Sequence, residues 1–239
     1  MNAKTIPTTA AFTRRELVVV VAVCAVLAVL LIPALQRAGD KSRRITCVCN
    51  LKGIGTAYRI WANDNGDRFP ASAPVTNGGW NSLLSRTNGA AYCWTNYAIM
   101  ANELGMSPTA LVCPADERRP AASFSNLANS NISYFVGVEA NDTYPQSLLG
   151  GDRNLGPGTV PDPEYGYSPT NGQGNDVIIN GPVCWSLKMH SRGNLAGAGN
   201  ILLGDGSAQQ VTSQNLTQNW LTNAFIRTSN SFGMRLIFP

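Results

Sequence analysis

The sequence has little charge and almost no histidine. Only 13% of its residues are charged, and its one histidine is His190. It contains no Walker loop, no dinucleotide fingerprint, no His-Glu-x-x-His pair and no Gly-x-Ser-x-Gly elbow, so the motifs of several large enzyme classes are missing. We see no internal repeat and no low-complexity tail. We therefore expect a chain that is not an enzyme. Disorder is disfavoured because apolar residues make up 44% of the sequence.

The basic residues are unevenly distributed. The formal charge of +4 comes from 18 basic and 14 acidic side chains. Many of the basic ones crowd the first part of the chain: Lys4, Arg14, Arg15, Arg37, Lys41, Arg43, Arg44 and Lys52. Such a cluster is typical of the flanks of a membrane span and not of a nucleic-acid interface, so no nucleic-acid partner is expected.

An uninterrupted apolar run extends from Leu17 to Leu35. As a helix it would be about 28 Å long, close to the roughly 30 Å hydrocarbon core of a bilayer. The run therefore predicts a membrane span. Basic residues flank it on both sides, so charge alone leaves its orientation open.

Two export signals are alternatives to a permanent span. A secretory signal peptide ends in a small-x-small cleavage site. Ala34 and Ala38 are small, but the residues two positions before them, Ile32 and Gln36, are not, so neither makes a good site. A twin-arginine signal would explain the paired arginines in Thr13-Arg14-Arg15-Glu16-Leu17. The same missing cleavage site counts against it.

The segment Phe12-Thr13-Arg14-Arg15-Glu16-Leu17, followed by the apolar run, resembles the prepilin-type cleavage and methylation segment. In that family a short basic leader is cut before a Phe, a Glu is the fifth mature residue and a Pro is often the twenty-second. Counted from Phe12, Glu16 is fifth and Pro33 is twenty-second. The resemblance implies that prepilin peptidase cuts between Ala11 and Phe12.

The same resemblance implies a type IV pilin or type II secretion pseudopilin. Its partners would be copies of itself or related pilins in a helical filament, the inner membrane, prepilin peptidase and a secretion or pilus assembly platform. The N-terminus would be cytoplasmic and the C-terminal domain periplasmic. Glu16 would pair with the freed amino group of a neighbouring subunit, because an unpaired carboxylate on an apolar helix is costly. Pro33 would kink or locally melt the helix.

A plain anchor remains an alternative, with Glu16 and the arginines on a solvated flank. The chain would then be an unprocessed, membrane-anchored extracytoplasmic protein that binds a glycan or an envelope polymer. Aromatic side chains stack on such ligands. The candidates for a stacking surface are Trp80, Trp94 and Trp185.

Beyond the span, apolar residues recur every three or four positions and predict an amphipathic stem helix over residues 36–62. These residues are Ile45, Val48, Leu51, Ile54, Tyr58 and Trp61. Asp64-Asn65-Gly66-Asp67 predicts its end. The segments 43–55, 62–70, Cys113-Pro114-Ala115-Asp116 and Gly204-Asp205-Gly206-Ser207 resemble one branch of the pilin-like proteins, abundant in planctomycetes and verrucomicrobia.

The rest of the chain predicts short strands. Strand character is found over Ile132–Val138, Val183–Met189, Asn200–Leu203, Ser207–Thr212 and Arg235–Phe238. Asp205-Gly206 predicts a two-residue hairpin turn, and residues 139–181 predict a long surface excursion. Ser213 could cap a short helix whose apolar residues face the sheet, namely Leu216, Trp220, Leu221 and Phe225. We expect an α+β fold in which a long N-terminal helix packs on a small antiparallel sheet, as in pilins. The predicted parts are a leader (1–11), a membrane or filament-core helix (12–35), the stem helix (36–62) and a globular domain (63–239).

Cysteine usage favours an exported domain. Cys24 lies in the span, and the other five lie beyond it, where an oxidising compartment permits disulfides. Cys47-Val48-Cys49 is too tight for a zinc ribbon and has no matching pair, which disfavours thiolate metal binding. The resemblance implies a disulfide between Cys47 and Cys113, with Cys93 to Cys184 as a second bridge.

Other candidate sites are weaker. His190 could assist a Cys or Ser nucleophile only if the fold placed them together, or it could pack on the hairpin. No cofactor is certain, but Ca²⁺ is a candidate because it prefers carboxylate oxygens. The acidic candidates, which could equally be turn-forming or solvated carboxylates, are Asp64, Asp67, Asp152, Asp162 and Asp176.

Overall fold

A computed structural model describes residues 13–84, 92–191, 196–216 and 234–239. The chain divides into two compact units, Met1–Ser42 and Arg43–Pro239. The predicted leader, the cleavage position Ala11-Phe12 and the apolar residues expected after Ser213 (Trp220, Leu221 and Phe225) lie outside the described residues.

The helix α1 runs from Arg14 to Asp64. Its part in the first unit is apolar, and its side chains are exposed. By length and composition this helix could cross a membrane, in agreement with the predicted span. The helix continues through Pro33, so the local melting expected there does not occur, and a kink remains a prediction.

The later part of α1 has one buried face, as expected of an amphipathic helix. Its buried residues are Cys47, Leu51, Ile54, Gly55, Ala57, Tyr58, Trp61 and Ala62. Ile45, which the periodicity placed on this face, is 50% exposed, and Cys47 lies on the face instead. The helix ends at Asp64, as predicted, because Gly66 has a left-handed φ of 69° and Asp67 donates its N–H to Ala62 O.

The domain contains eight strands among the described residues: β1 (Tyr134–Gly137), β2 (Leu148–Asp152), β3 (Leu155–Pro157), β4 (Asn175–Ile179), β5 (Val183–Trp185), β6 (Ala198–Leu203), β7 (Ala208–Thr212) and β8 (Met234–Phe238). They form a six-stranded antiparallel sheet in the order β4-β8-β1-β2-β6-β7 and a two-stranded antiparallel sheet of β3 and β5. This agrees with the expected class, a long helix with an antiparallel sheet.

The six-stranded sheet has two apolar faces, because side chains alternate along each strand. On one face Tyr134, Leu149 and Leu202 pack in the same core cluster as Leu51 and Tyr58 of α1. The other face packs in a second cluster, which includes residues of the two-stranded sheet. Members of that cluster are Phe135, Leu148, Ile201, Leu236, Phe238, Leu155, Val183 and Trp185.

The expected surface excursion over residues 139–181 is wrong. This region contains β2, β3 and β4, and every residue of β2 is buried between β1 and β6. A Cβ at Gly151 would lie 2.8 Å from a ring carbon of Phe135, so the glycine is required by the packing. These glycines stand where apolar residues would otherwise alternate along the strand. The sequence therefore lacks the pattern by which a strand is recognised.

The turn at Asp205-Gly206 exists, but it is not the two-residue type. Gly206 N–H donates to Leu203 O, and Leu203 N–H donates to Ser207 O, so three residues lie between the paired positions. Only Gly206 has a positive φ, at 80°. This is a type I turn followed by a glycine bulge, which a Gly-Asp-Gly sequence favours.

Short helices complete the fold. These are α2 (Asn81–Leu84), α3 (Cys93–Ala98) and α4 (Ser213–Asn215). The N-cap of α4 is Thr212, whose Oγ1 accepts from Asn215 N–H, and not Ser213 as expected. Ser213 Oγ instead accepts from Trp185 N–H at 3.0 Å, which ties α4 to β5.

Candidate functional site

Four side chains of types that can bind a metal ion lie together inside the domain: Cys47, Cys113, Asp152 and His190. One ligand atom from each lies within 4.8 Å of the others. The side chains of Asp152 and His190 are 0% and 1% exposed, and both cysteines are buried. Among the residues that the structure describes, no other group of three or more His, Cys, Asp or Glu side chains converges in this way. We call these four residues the Cys-Cys-Asp-His cluster.

The sheet and α1 position two members of the cluster. Tyr134 of β1 pairs with Asp152 at the end of β2, so their side chains lie on the same face of the sheet. This is the face that packs against α1, where Cys47 occupies the buried stripe. The Cys47 thiol therefore meets both the Asp152 carboxylate and the Tyr134 hydroxyl.

Two loops bring the other members. Cys113 follows the 3₁₀ turn Pro108–Leu111, and Asn50 of α1 donates from Nδ2 to the carbonyl of Val112 at 3.2 Å. His190 lies in the 3₁₀ turn Met189–Ser191. Ser191 holds that turn against β6, since its Oγ accepts from Ala198 N–H at 2.7 Å.

The contacts within the cluster are short. Cys47 Sγ is 3.1 Å from Asp152 Oδ1, Cys113 Sγ is 3.2 Å from His190 Nε2, and His190 Nε2 is 3.5 Å from Asp152 Oδ2. Asn200 donates to Asp152 Oδ2 from both its backbone N–H and its Nδ2, at 2.7 and 3.0 Å. Ala115 N–H approaches Cys113 Sγ at 3.4 Å. Asp152 and Cys113 thus each have a hydrogen-bond donor from outside the cluster.

Burial determines the electrostatics of the cluster. It raises the pKa of Cys47 well above the usual thiol range, because a thiolate there would lose its hydration. Burial also raises the pKa of Asp152, although His190 opposes this. For His190, burial lowers the pKa, but the Asp152 carboxylate outweighs it and the net direction is upward. For Cys113, burial raises the pKa, but hydrogen bonds from Cys47 and His190 outweigh it and lower the value.

The cluster does not have the geometry of a nucleophilic triad. In such a triad, one ring nitrogen of the histidine faces the nucleophile and the other faces the carboxylate. Here the same nitrogen, His190 Nε2, faces both Cys113 and Asp152. The thiols are also enclosed, with both cysteines 0% exposed. The side chains converge on a common point, as the ligands of a metal ion do.

The expected disulfides are not formed in the structure, in which all six cysteines are free. Cys47 and Cys113 are neighbours in the cluster but are not bonded. Cys93 and Cys184 belong to separate surroundings, since Cys93 Sγ faces Ile237 O and Cys184 Sγ faces Val160 O. Cys49, the partner of Cys47 in the tight sequence pair, is exposed.

Most calcium candidates have other roles in the structure. Asp176 forms an ion pair with Arg235, and Asp162 Oδ1 accepts from the N–H of Glu164. Asp64 accepts from Asn63, and Asp67 donates its N–H to Ala62 O at the end of α1. Asp152 is the exception, because it belongs to the Cys-Cys-Asp-His cluster. Thiolates make that cluster unlike the all-oxygen sites that Ca²⁺ prefers.

Asp205 stabilises the hairpin turn. Its Oδ1 accepts from Ser207 N–H at 2.8 Å, and its carbonyl accepts from Arg59 of α1 at 2.9 Å. The hairpin also lies close to α1 at Gly55, where a Cβ would be 2.9 Å from Gly206 O. The Asp-Gly pair therefore has a structural role at the junction of turn and helix.

Glu16 lies in the first turn of α1 and forms a capping box with Thr13. Thr13 donates to Glu16 Oε2 from its N–H and its hydroxyl, both at 2.8 Å, and Thr13 Oγ1 accepts from Glu16 N–H at 3.3 Å. The pattern Thr-x-x-Glu is a recognised helix start. The sequence alone contains this signal, in addition to the prepilin landmark.

The tryptophans suggested as a ligand-stacking surface are largely internal. Trp80 and Trp185 are 0% exposed and belong to the two core clusters. Trp94 is half-buried against the first cluster. Two of the three are therefore core residues and cannot stack on an external ligand.

A second buried polar network lies beside the cluster. The Arg153 guanidinium contacts Asp116 through Nε–Oδ2 at 2.8 Å and Nη2–Oδ1 at 2.9 Å, and both side chains are almost fully buried. Tyr165 donates to Asp116 Oδ1 at 3.1 Å, and its ring lies 3.4 Å from the guanidinium carbon of Arg153. Burial raises the pKa of Asp116, but the bonds from Arg153 outweigh it and hold the pKa below its usual value.

Comparison of the chain with protein-family models, with curated proteins and with solved structures found no match in any of the three.

Proposed function

We propose that this protein is a structural subunit of a type IV pilus-like filament or of a type II secretion pseudopilus. Prepilin peptidase would remove the segment before Phe12, and the mature chain would then leave the bilayer and pack helix to helix with other copies or related pilins. The proposal rests on the resemblance of residues 12–35 to the prepilin segment.

One observation of the structure carries this proposal. A single helix, α1, supplies both the exposed apolar segment at its start and a buried core element of the sheet domain at its end. An exposed apolar surface of this extent requires a membrane or a protein partner to cover it. A filament core and a bilayer both meet that requirement, and a pilin uses them in turn.

The alternative function, an anchored protein that binds a glycan or an envelope polymer, has no comparable support from the structure. Its proposed ligand surface depended on exposed tryptophans, and Trp80 and Trp185 are buried. The convergent side chains of the Cys-Cys-Asp-His cluster are also enclosed. No specific observation therefore favours a surface ligand.

The assembly role of Glu16 gives the first test. We expect Glu16→Ala to lower the yield of sheared filaments roughly tenfold or more, because it removes one partner of an intersubunit charge pair. Insertion into the membrane should persist, because the substitution makes the helix more apolar. Quantitative immunoblots of sheared and membrane fractions from the native host measure both quantities.

Glu16→Gln separates assembly from capping. Glutamine retains the capping box with Thr13 but not the charge, so it should fail in assembly like alanine. Glu117→Ala removes a carboxylate that is 66% exposed in the domain and should leave the yield unchanged. Normal filament recovery from both Glu16 variants would contradict the assembly role.

A further inference from the structure

We propose that Cys47, Cys113, Asp152 and His190 bind one structural zinc ion. This proposal is independent of filament assembly and concerns how the domain is held together. The four residues come from α1, from the loop after Leu111, from the end of β2 and from a 3₁₀ turn, so one ion would join four segments of the chain.

The ligand set and its spacing fit zinc. Two sulfurs, one imidazole nitrogen and one carboxylate oxygen form a set that zinc accepts, whereas the hard cations Ca²⁺ and Mg²⁺ avoid sulfur. With zinc bonds of 2.0 to 2.3 Å, tetrahedral ligand atoms lie about 3.3–3.8 Å apart. The contacts of 3.1 Å between Cys47 Sγ and Asp152 Oδ1 and of 3.2 Å between Cys113 Sγ and His190 Nε2 are close to that range, and one ligand atom from each of the four residues lies within 4.8 Å of the others.

The surroundings also resemble those of a metal site. Asn200 fixes one oxygen of Asp152 with two hydrogen bonds and leaves Oδ1 facing Cys47. The Ala115 N–H points at Cys113 Sγ. Such outer hydrogen bonds orient metal ligands and stabilise thiolates.

Charge provides a further argument. Two thiolates and a carboxylate carry three negative charges, which could not be buried together without a cation. Zn²⁺ reduces this to a single negative charge, and the guanidinium of Arg44 interacts electrostatically with Asp152 and Cys47. Binding requires no redox step, because Zn²⁺ replaces the two thiol protons, which pass to solvent.

A disulfide between Cys47 and Cys113 is the competing use of the same two sulfurs. It would exclude both from coordination, so zinc and the disulfide cannot coexist at this site. The two states differ in metal content and in thiol content, and both can be measured on the same sample.

The test uses the full-length protein in detergent, purified without chelator, with metal content measured by inductively coupled plasma mass spectrometry. We expect about one zinc ion per chain in the parent protein. Cys113→Ser and Cys47→Ser should lose most of it. Cys49→Ser is the matched control, since Cys49 is exposed on the same helix, and it should retain the parent's zinc. Equal zinc in all variants would overturn the assignment.

Cobalt substitution of the parent keeps the test decisive if a cysteine variant fails to fold. After removal of zinc, added Co²⁺ should produce tetrahedral d–d bands and a thiolate-to-cobalt charge-transfer band, and added Zn²⁺ should abolish both. A parent protein that shows no such bands, or in which non-reducing peptide mapping finds a Cys47–Cys113 disulfide, would refute the zinc site.

Discussion

Asp116→Asn should destabilise the domain by about 3–5 kcal/mol, because it leaves the charged guanidinium of Arg153 without its buried counterion. The carboxylate of Glu117 also approaches Arg153, but it is 3.7 Å away and 66% exposed, so solvent screens that pair. Arg153 is 1% exposed and forms two short bonds with the carboxylate of Asp116. Asparagine keeps one acceptor oxygen but directs an NH₂ group at the guanidinium. Urea unfolding of the full-length protein in detergent, followed by tryptophan fluorescence, measures the change in the free energy of unfolding.

The Asp176→Asn variant is the matched control for this prediction. It makes the same substitution in the Arg235–Asp176 ion pair, whose side chains are 31% and 34% exposed. Solvent screens such a pair, so the expected cost is below about 1 kcal/mol. Similar losses in the two variants would show that the burial of the Arg153–Asp116 pair has no special effect on stability.

Trp185→Ala should lower the free energy of unfolding of the domain by about 3–5 kcal/mol, because it opens a cavity in the second core cluster. Trp185 is 0% exposed on β5, and a Cβ at Gly199 would lie 2.5 Å from one of its ring carbons. The glycine therefore makes room for the indole, and alanine could not fill the space left behind. Chemical unfolding followed by far-ultraviolet circular dichroism measures the loss.

Trp94→Ala provides the comparison, since Trp94 is only half-buried on α3. Trp94→Ala should lower the free energy of unfolding by less than about 2 kcal/mol. A larger loss of stability from Trp94→Ala than from Trp185→Ala would contradict the assignment of Trp185 to the core.

Local patterns predicted much of the fold. The apolar run and the three-to-four periodicity revealed α1, and strand-forming residues revealed β1, β5, β6, β7 and β8. The strand β2 could not be found in this way, because Gly150, Gly151 and Asp152 replace the apolar residues expected of a central strand. Its glycines are explained by close contacts across the sheet, which a linear sequence does not contain.

The Cys-Cys-Asp-His cluster could not be predicted from the sequence either, because it depends on contacts between distant parts of the chain. Its residues come from four separate segments, and no short spacing joins them. In the sequence the tight pair Cys47-Val48-Cys49 disfavours thiolate metal binding, whereas in the structure α1 directs Cys47 inward and leaves Cys49 exposed. The resemblance singled out Cys47 and Cys113 as a pair, and the structure places them together with Asp152 and His190.

The N-terminus of the native protein is the most direct measurement of the proposed function. Mass spectrometry of the protein from host membranes and sheared filaments should find a mature chain that begins with N-methylated Phe12. A chain that retains Met1 in both fractions would contradict processing by prepilin peptidase, and with it the proposal of a pilin-like subunit.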